Sequence, residues 1–293
     1  MPETGEYLLT HIGFSPEEKP IIVLQRDMTS FDLLPLEKTL SLRFDTSQRY
    51  CIGWRNMATG EIFSCPDHKT VENKFEQCTA CQQKTGFNPA FYYAATVSKQ
   101  QEARNREQHM LYLAHFAKGV VKVGISHAAR NRARLLEQGA RSALILSIFP
   151  TAHVARSYEA QIAMLPGIAE TIQLRKKITS LAQEYGTKLA TKELLAARHK
   201  VEQTIGMTVT DNNPMSLDPI YFPTTQPDLT NAYDCAEQNF ISGQVIGMLG
   251  SLLFFTQQNS SLFLPLKKYI GYTVNVSYEE RIIPLPARQM SLF

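Results

Sequence analysis

Met110-Leu-Tyr-Leu-Ala-His-Phe116 and Gly119-Val-Val-Lys-Val-Gly-Ile125 stand almost back to back in the sequence. Both are short apolar runs rich in β-branched and aromatic residues, the signature of strands rather than helices. A helical stretch reaching Glu137 follows, and then a third strand run, Ala143-Leu-Ile-Leu-Ser-Ile-Phe149. Strand, strand, helix and strand within forty residues predict a compact mixed unit at the centre of the chain.

Charge concentrates in the same stretch. The chain of 293 residues carries a net charge of only +3. Residues 116–160 hold Lys118, Lys122, Arg130, Arg132, Arg134, Arg141 and Arg156 against Glu137 and Glu159 alone. Such a local excess of cations suits a phosphate backbone, and Lys118, Arg130, Arg134 and Arg141 are the candidate nucleic-acid contacts.

Upstream, Ile21-Ile-Val-Leu24 reads as a buried strand, and Thr39-Leu-Ser-Leu-Arg-Phe44 alternates in the two-residue period of a half-exposed one. Four of the five cysteines fall between residues 51 and 81. Cys78-Thr-Ala-Cys81 is a turn that lets two thiolates grip one tetrahedral Zn²⁺. Cys51 and Cys65 complete a four-cysteine set, which the Ile-Gly after Cys51 favours. The other reading drops Cys51 and takes His68 from Cys65-Pro-Asp-His68. A closed four-ligand site has no position for substrate, so the zinc is expected to be structural.

Downstream, residues 155–204 read as helix, broken at Pro166-Gly167, with one long amphipathic helix over 170–203. A Pro- and Asn-rich connection over 212–228 leads to a β unit in which Gly243, Gly247 and Gly250 are expected to mark bulges. The most apolar run, 245–255, is too short to span a bilayer, and the N-terminus has no signal-peptide pattern. A cytoplasmic protein with no membrane partner is the expectation, because unpaired cysteines belong to a reducing compartment.

The central residues resemble the GIY-YIG nuclease domain. Tyr112 falls on the tyrosine of the first triplet, Gly124 on the glycine of the second, and Arg132, eight residues further on, on the helix arginine. Glu159 is the matching candidate for the carboxylate that binds a catalytic divalent ion. Lys122 stands where the second tyrosine would be, and Leu136 replaces a histidine or tyrosine. The resemblance implies a site in which Tyr112, Lys122, Arg132 and Glu159 act on a phosphodiester with Mg²⁺ or Mn²⁺. Over roughly residues 40–275 the chain also resembles an uncharacterised bacterial domain family that joins this hairpin to zinc-binding cysteines. That likeness rests on Cys51-Ile-Gly, Lys122-Val-Gly-Ile-Ser126, Leu136-Glu-Gln-Gly-Ala140 and Gly243-Gln-Val-Ile-Gly-Met-Leu-Gly250.

The last five residues, Gln289, Met290, Ser291, Leu292 and Phe293, resemble the bacterial sliding-clamp-binding motif, after Pro284 and Pro286. Apolar side chains in an extended tail are stabilised by a partner's pocket. The expected architecture is α+β. It comprises an N-terminal β region with the zinc site (1–97), a GIY-YIG-like unit with the long helix (109–206), a small β unit (229–280) and a clamp-binding tail (281–293). The leading functional expectation is a clamp-recruited, metal-dependent DNA endonuclease of repair or replication. The alternative is a non-catalytic zinc-containing adaptor that binds DNA or RNA.

Overall fold

A computed structural model describes all residues except 1, 28, 37, 73, 89–95, 210–212 and 285–293. Among the described residues the chain is α+β, with two main sheets and a small ribbon. The central strands are His109–Ala117 and Val120–His127, joined by a tight antiparallel turn. Every residue of His109–Ala117 is buried. The reason is that this strand is covered on both faces, which accounts for its unbroken apolar character.

Its alternate residues serve two different cores. Leu111 and Leu113 point into a cluster with Val123, Leu144, Ile162, Leu194 and Val201. This cluster lies under the helices Ala152–Ala163 and Thr187–Ile205. Met110, Tyr112, Ala114 and Phe116 point the other way, into a larger cluster shared with the second sheet. The two-residue period of a strand thus divides one apolar run between two hydrophobic layers. The five-stranded sheet runs Ile168–Ala169, Val120–His127, His109–Ala117, Ser142–Phe149 and Met215–Ser216, with only the first pair parallel.

The larger sheet has nine strands drawn from both ends of the chain. Thr39–Asp45 lies between Phe240–Leu249 and Thr273–Ser277, and Gly5–Phe14 flanks the latter. Residues 229–280 therefore form no separate unit, since their strands alternate with those of residues 5–45. Gly247 sits at a register shift of strand Phe240–Leu249.

The long amphipathic stretch is divided. Helices Leu174–Ser180 and Thr187–Ile205 are separated by residues 181–186. Tertiary bonds hold the break open. The Tyr185 hydroxyl donates to the Arg141 carbonyl at 3.0 Å, and the Glu184 carbonyl accepts from the Lys118 backbone N–H at 3.1 Å. Periodicity continued through the break because the apolar spacing survives it; the backbone does not. Among the described residues no helix is long and apolar enough to cross a membrane.

Candidate metal centre and the buried polar cluster around Tyr112

Cys51 follows an isolated bridge between Tyr50 and Thr70, and Cys65 follows the ribbon strand Ile62–Phe63. Cys78 precedes the helix Thr79–Thr85, and Cys81 lies in its first turn. The four sulfurs lie within 4.8 Å of one another. Tetrahedral Zn–S bonds of about 2.3 Å would set sulfurs roughly 3.8 Å apart, so the cluster needs only a small contraction to close. The Cys78 backbone N–H donates to the Cys51 sulfur at 3.2 Å, an arrangement that stabilises a thiolate. Trp54 and Phe63 stack at 4.2 Å, with Trp54 packed against the cysteines.

Burial pushes the Cys51 thiol up to about 11 and raises Cys81 further. Burial also opposes ionisation of Cys78, but hydrogen bonds from the Cys81 backbone and the neighbouring thiols outweigh it and leave that thiol below its ordinary value. A divalent cation would displace the remaining protons, since thiolate is the ligand form. The donor set fits a soft, tetrahedral ion, and the four cysteines could hold a metal such as zinc. His68 is exposed, has a left-handed φ of 44° and contributes no atom to the group.

The second constellation surrounds Tyr112. Tyr112 and Gly124 are directly opposed in the hairpin register. A Cβ at position 124 would lie 2.6 Å from the Tyr112 hydroxyl, so the ring occupies the space that only glycine leaves. Oriented with its oxygen toward Tyr112, the Gln138 amide accepts from the Tyr112 hydroxyl at 3.0 Å and from Arg134 Nε and Nη2 at 3.1 Å each. Burial lifts the phenol to about 12, Arg134 opposing that rise and Glu159 adding to it.

Lys122 Nζ donates to the carbonyl oxygens of Val123, at 3.0 Å, and of Glu170. Burial lowers its pKa, although the Glu159 carboxylate works against the shift. Glu159, on helix Ala152–Ala163, is buried and pairs with Arg156 at 2.6 Å. Arg156 also reaches Glu170 at 2.5 Å. Tyr112, Lys122 and Glu159 are therefore brought into one electrostatic neighbourhood.

Arg132 is not part of it. It pairs with Glu18 at 2.6 Å on the surface, while Arg134, two residues on, supplies the guanidinium beside Tyr112. Each candidate phosphate contact has an acidic neighbour. Lys118 pairs with Glu184 at 2.9 Å, Arg130 and Arg134 share Glu137, and Arg141 holds Asp218 in a bidentate pair. The Arg141 guanidinium also lies 3.5 Å from the Tyr185 ring centroid. The sequence reading counted Arg156 only among the cations and gave Gln138 no role. The Arg156–Glu159 spacing of three residues on a helix was a readable sign of their pairing; Gln138 left none. Gln289, Met290, Ser291, Leu292 and Phe293 lie outside the described residues.

No curated protein and no solved structure gave a significant match to the chain. Residues 37–274, which hold the four cysteines, the hairpin and most of the nine-stranded sheet, match the family described as a protein of unknown function, DUF2797, and the chain belongs to that family.

Proposed function

We propose that the protein is a zinc-stapled, cytoplasmic nucleic-acid-binding adaptor, related in its core to GIY-YIG nucleases and tethered to the sliding clamp by its tail. The observation that carries this reading is the closure of the nuclease-like cluster. Tyr112 has no solvent exposure, Glu159 has 6% and Lys122 has 9%. The Lys122 ammonium is committed to two backbone carbonyls, and the Glu159 carboxylate to Arg156. A scissile phosphate needs a nucleophile within reach and a carboxylate free to hold a divalent ion. Here each is already bonded elsewhere in the protein, Tyr112 to Gln138 and Glu159 to Arg156. Four thiolates on zinc would fix the ribbon and the short helix as a rigid staple. DNA is the partner proposed from the sequence's local excess of cations, which in the fold are largely paired with Glu137, Glu184 and Asp218; RNA shares the same phosphate chemistry.

A metal-dependent DNA endonuclease is the second reading. It is favoured by the electrostatic proximity of Tyr112, Lys122, Arg134 and Glu159, with Arg134 rather than Arg132 as the cation beside the tyrosine. A panel of duplex, flapped, branched and single-stranded DNAs, incubated with Mg²⁺ or Mn²⁺ and with or without sliding clamp, separates the two. The adaptor binds and leaves every substrate intact. Cleavage that disappears in Glu159→Ala would instead establish the enzyme.

A further inference from the structure

Between helices Ala133–Gln138 and Leu174–Ser180 and the nine-stranded sheet lies a cleft of about 300 Å³, near the lower bound for small-ligand sites. Arg134, Lys177 and Lys267 line it, each from a different element: helices Ala133–Gln138 and Leu174–Ser180 and the 3-10 turn Leu266–Tyr269. Ser251 and the backbone of Gly250 lie in its wall beside apolar side chains such as Leu174.

The charges in this cleft do not cancel. Glu137 and Glu76 are its carboxylates. Glu137 is already held by Arg130 and Arg134, and Glu76 faces Arg49 at 4.0 Å. Lys267 has no ion pair or hydrogen bond among the described residues. Lys177 is half-buried, donates to the Gln138 carbonyl at 2.6 Å and lies 5.2 Å from the Phe116 ring centroid. The charged groups that act on it are Lys122, Lys267 and Arg134, all of its own sign. Burial first, and these cations second, lower its pKa to about 8. Like charges gathered beside apolar walls repel more strongly than they would in water, and a bound anion reverses the sign of that interaction.

We infer that this cleft is an oxyanion site for a phosphoryl group, gripped by Arg134, Lys177 and Lys267 with the Ser251 hydroxyl available as a neutral donor. Three cations converging on one space suit a multiply charged oxyanion better than a single carboxylate. Arg134 contributes its positive charge rather than its fork of donors, because Nε and Nη2 are bonded to Gln138. The site is distinct from the Tyr112 cluster, although Arg134 borders both. It stands whether or not the protein binds nucleic acid, because the phosphoryl group can belong to a free phosphate compound or to a polynucleotide backbone.

Isothermal titration of the full chain with pyrophosphate, with acetate as control, tests the site directly. One pyrophosphate per chain is expected, bound about tenfold more weakly by Lys267→Ala or Lys177→Met, each of which removes one charged contact. Lys192→Ala, a change at an exposed lysine of helix Thr187–Ile205 that does not line the cleft, should leave the affinity as it is. Competition with a short single-stranded oligonucleotide identifies the source of the phosphate. Displacement of pyrophosphate assigns the cleft to a polynucleotide backbone, and binding of pyrophosphate without displacement assigns it to a free phosphate compound; both outcomes uphold the site. Absence of pyrophosphate binding at millimolar concentration, or binding unchanged in both lysine variants, would overturn it. Because Lys267 is exposed and its side chain makes no hydrogen bond or ion pair among the described residues, Lys267→Ala is expected to fold and so keeps the test decisive.

Discussion

Gly139 and Gly250 face each other across the junction of the two sheets, and Gly250 has no room for a side chain. Both have left-handed backbones, at φ 72° and 62°. A Cβ on Gly250 would lie 2.9 Å from the Gly139 Cα and nitrogen. The end of helix Ala133–Gln138 and the turn after strand Phe240–Leu249 thus dock backbone to backbone. Gly250 lines the cationic cleft together with Arg134, Lys177 and Ser251, so this contact forms part of its wall.

Gly250→Ala should lower stability by about 1–3 kcal/mol, from left-handed strain together with a contact that must open. Denaturant unfolding at neutral pH would measure it. An unchanged midpoint would mean that the two turns separate freely and that the junction is soft.

Purified chain should contain about one zinc ion per molecule, because four thiolates complete the shell. Cys81→Ser should release it and unfold the ribbon. His68→Ala should leave metal content as it was, given the exposed position of His68. Elemental analysis of the three proteins decides the ligand set, and zinc lost from His68→Ala would restore the histidine reading.

Acid should weaken the fold through His11. Its Nδ1 is buried without a partner, and burial, with Arg55 as a second cause, lowers its pKa from 6.5 to about 4. The folded chain therefore takes up this proton later than the unfolded chain does. Stability is fully present above pH 6.5 and falls as pH drops toward about 4, by up to about 3 kcal/mol for this group. Urea midpoints across that window should fall less steeply in His11→Leu. Parallel curves for the two proteins would assign the acid sensitivity to other groups.

Removing residues 289–293 should abolish capture by immobilised sliding clamp while leaving the thermal midpoint intact. Retained capture would move the clamp contact elsewhere or remove it.

Local pattern made a good part of this protein legible. The two central strands were read at 110–116 and 119–125 and occupy His109–Ala117 and Val120–His127. The four cysteines announced themselves by type and spacing, and their sulfurs converge. Tyr112 opposite Gly124 was visible as a motif, since a hairpin register follows from a short turn.

What the sequence by itself determined was the set of local elements and the chemistry of the metal ligands, because strand period and thiolate spacing act over a few residues. Only the tertiary structure decided which elements became neighbours. Thr39–Asp45 pairs with Phe240–Leu249 some two hundred residues away, and no local period encodes that partner. Tyr185 and Glu184 open a helix through bonds to Arg141 and Lys118. A run of cations that read as a phosphate-facing patch is largely matched by Glu137, Glu184 and Asp218. The charge left over lies instead between Arg134, Lys177 and Lys267, which are far apart in sequence and meet only because the sheet junction brings them together. Electrostatic free energy depends on distance through space, and that distance is fixed by packing.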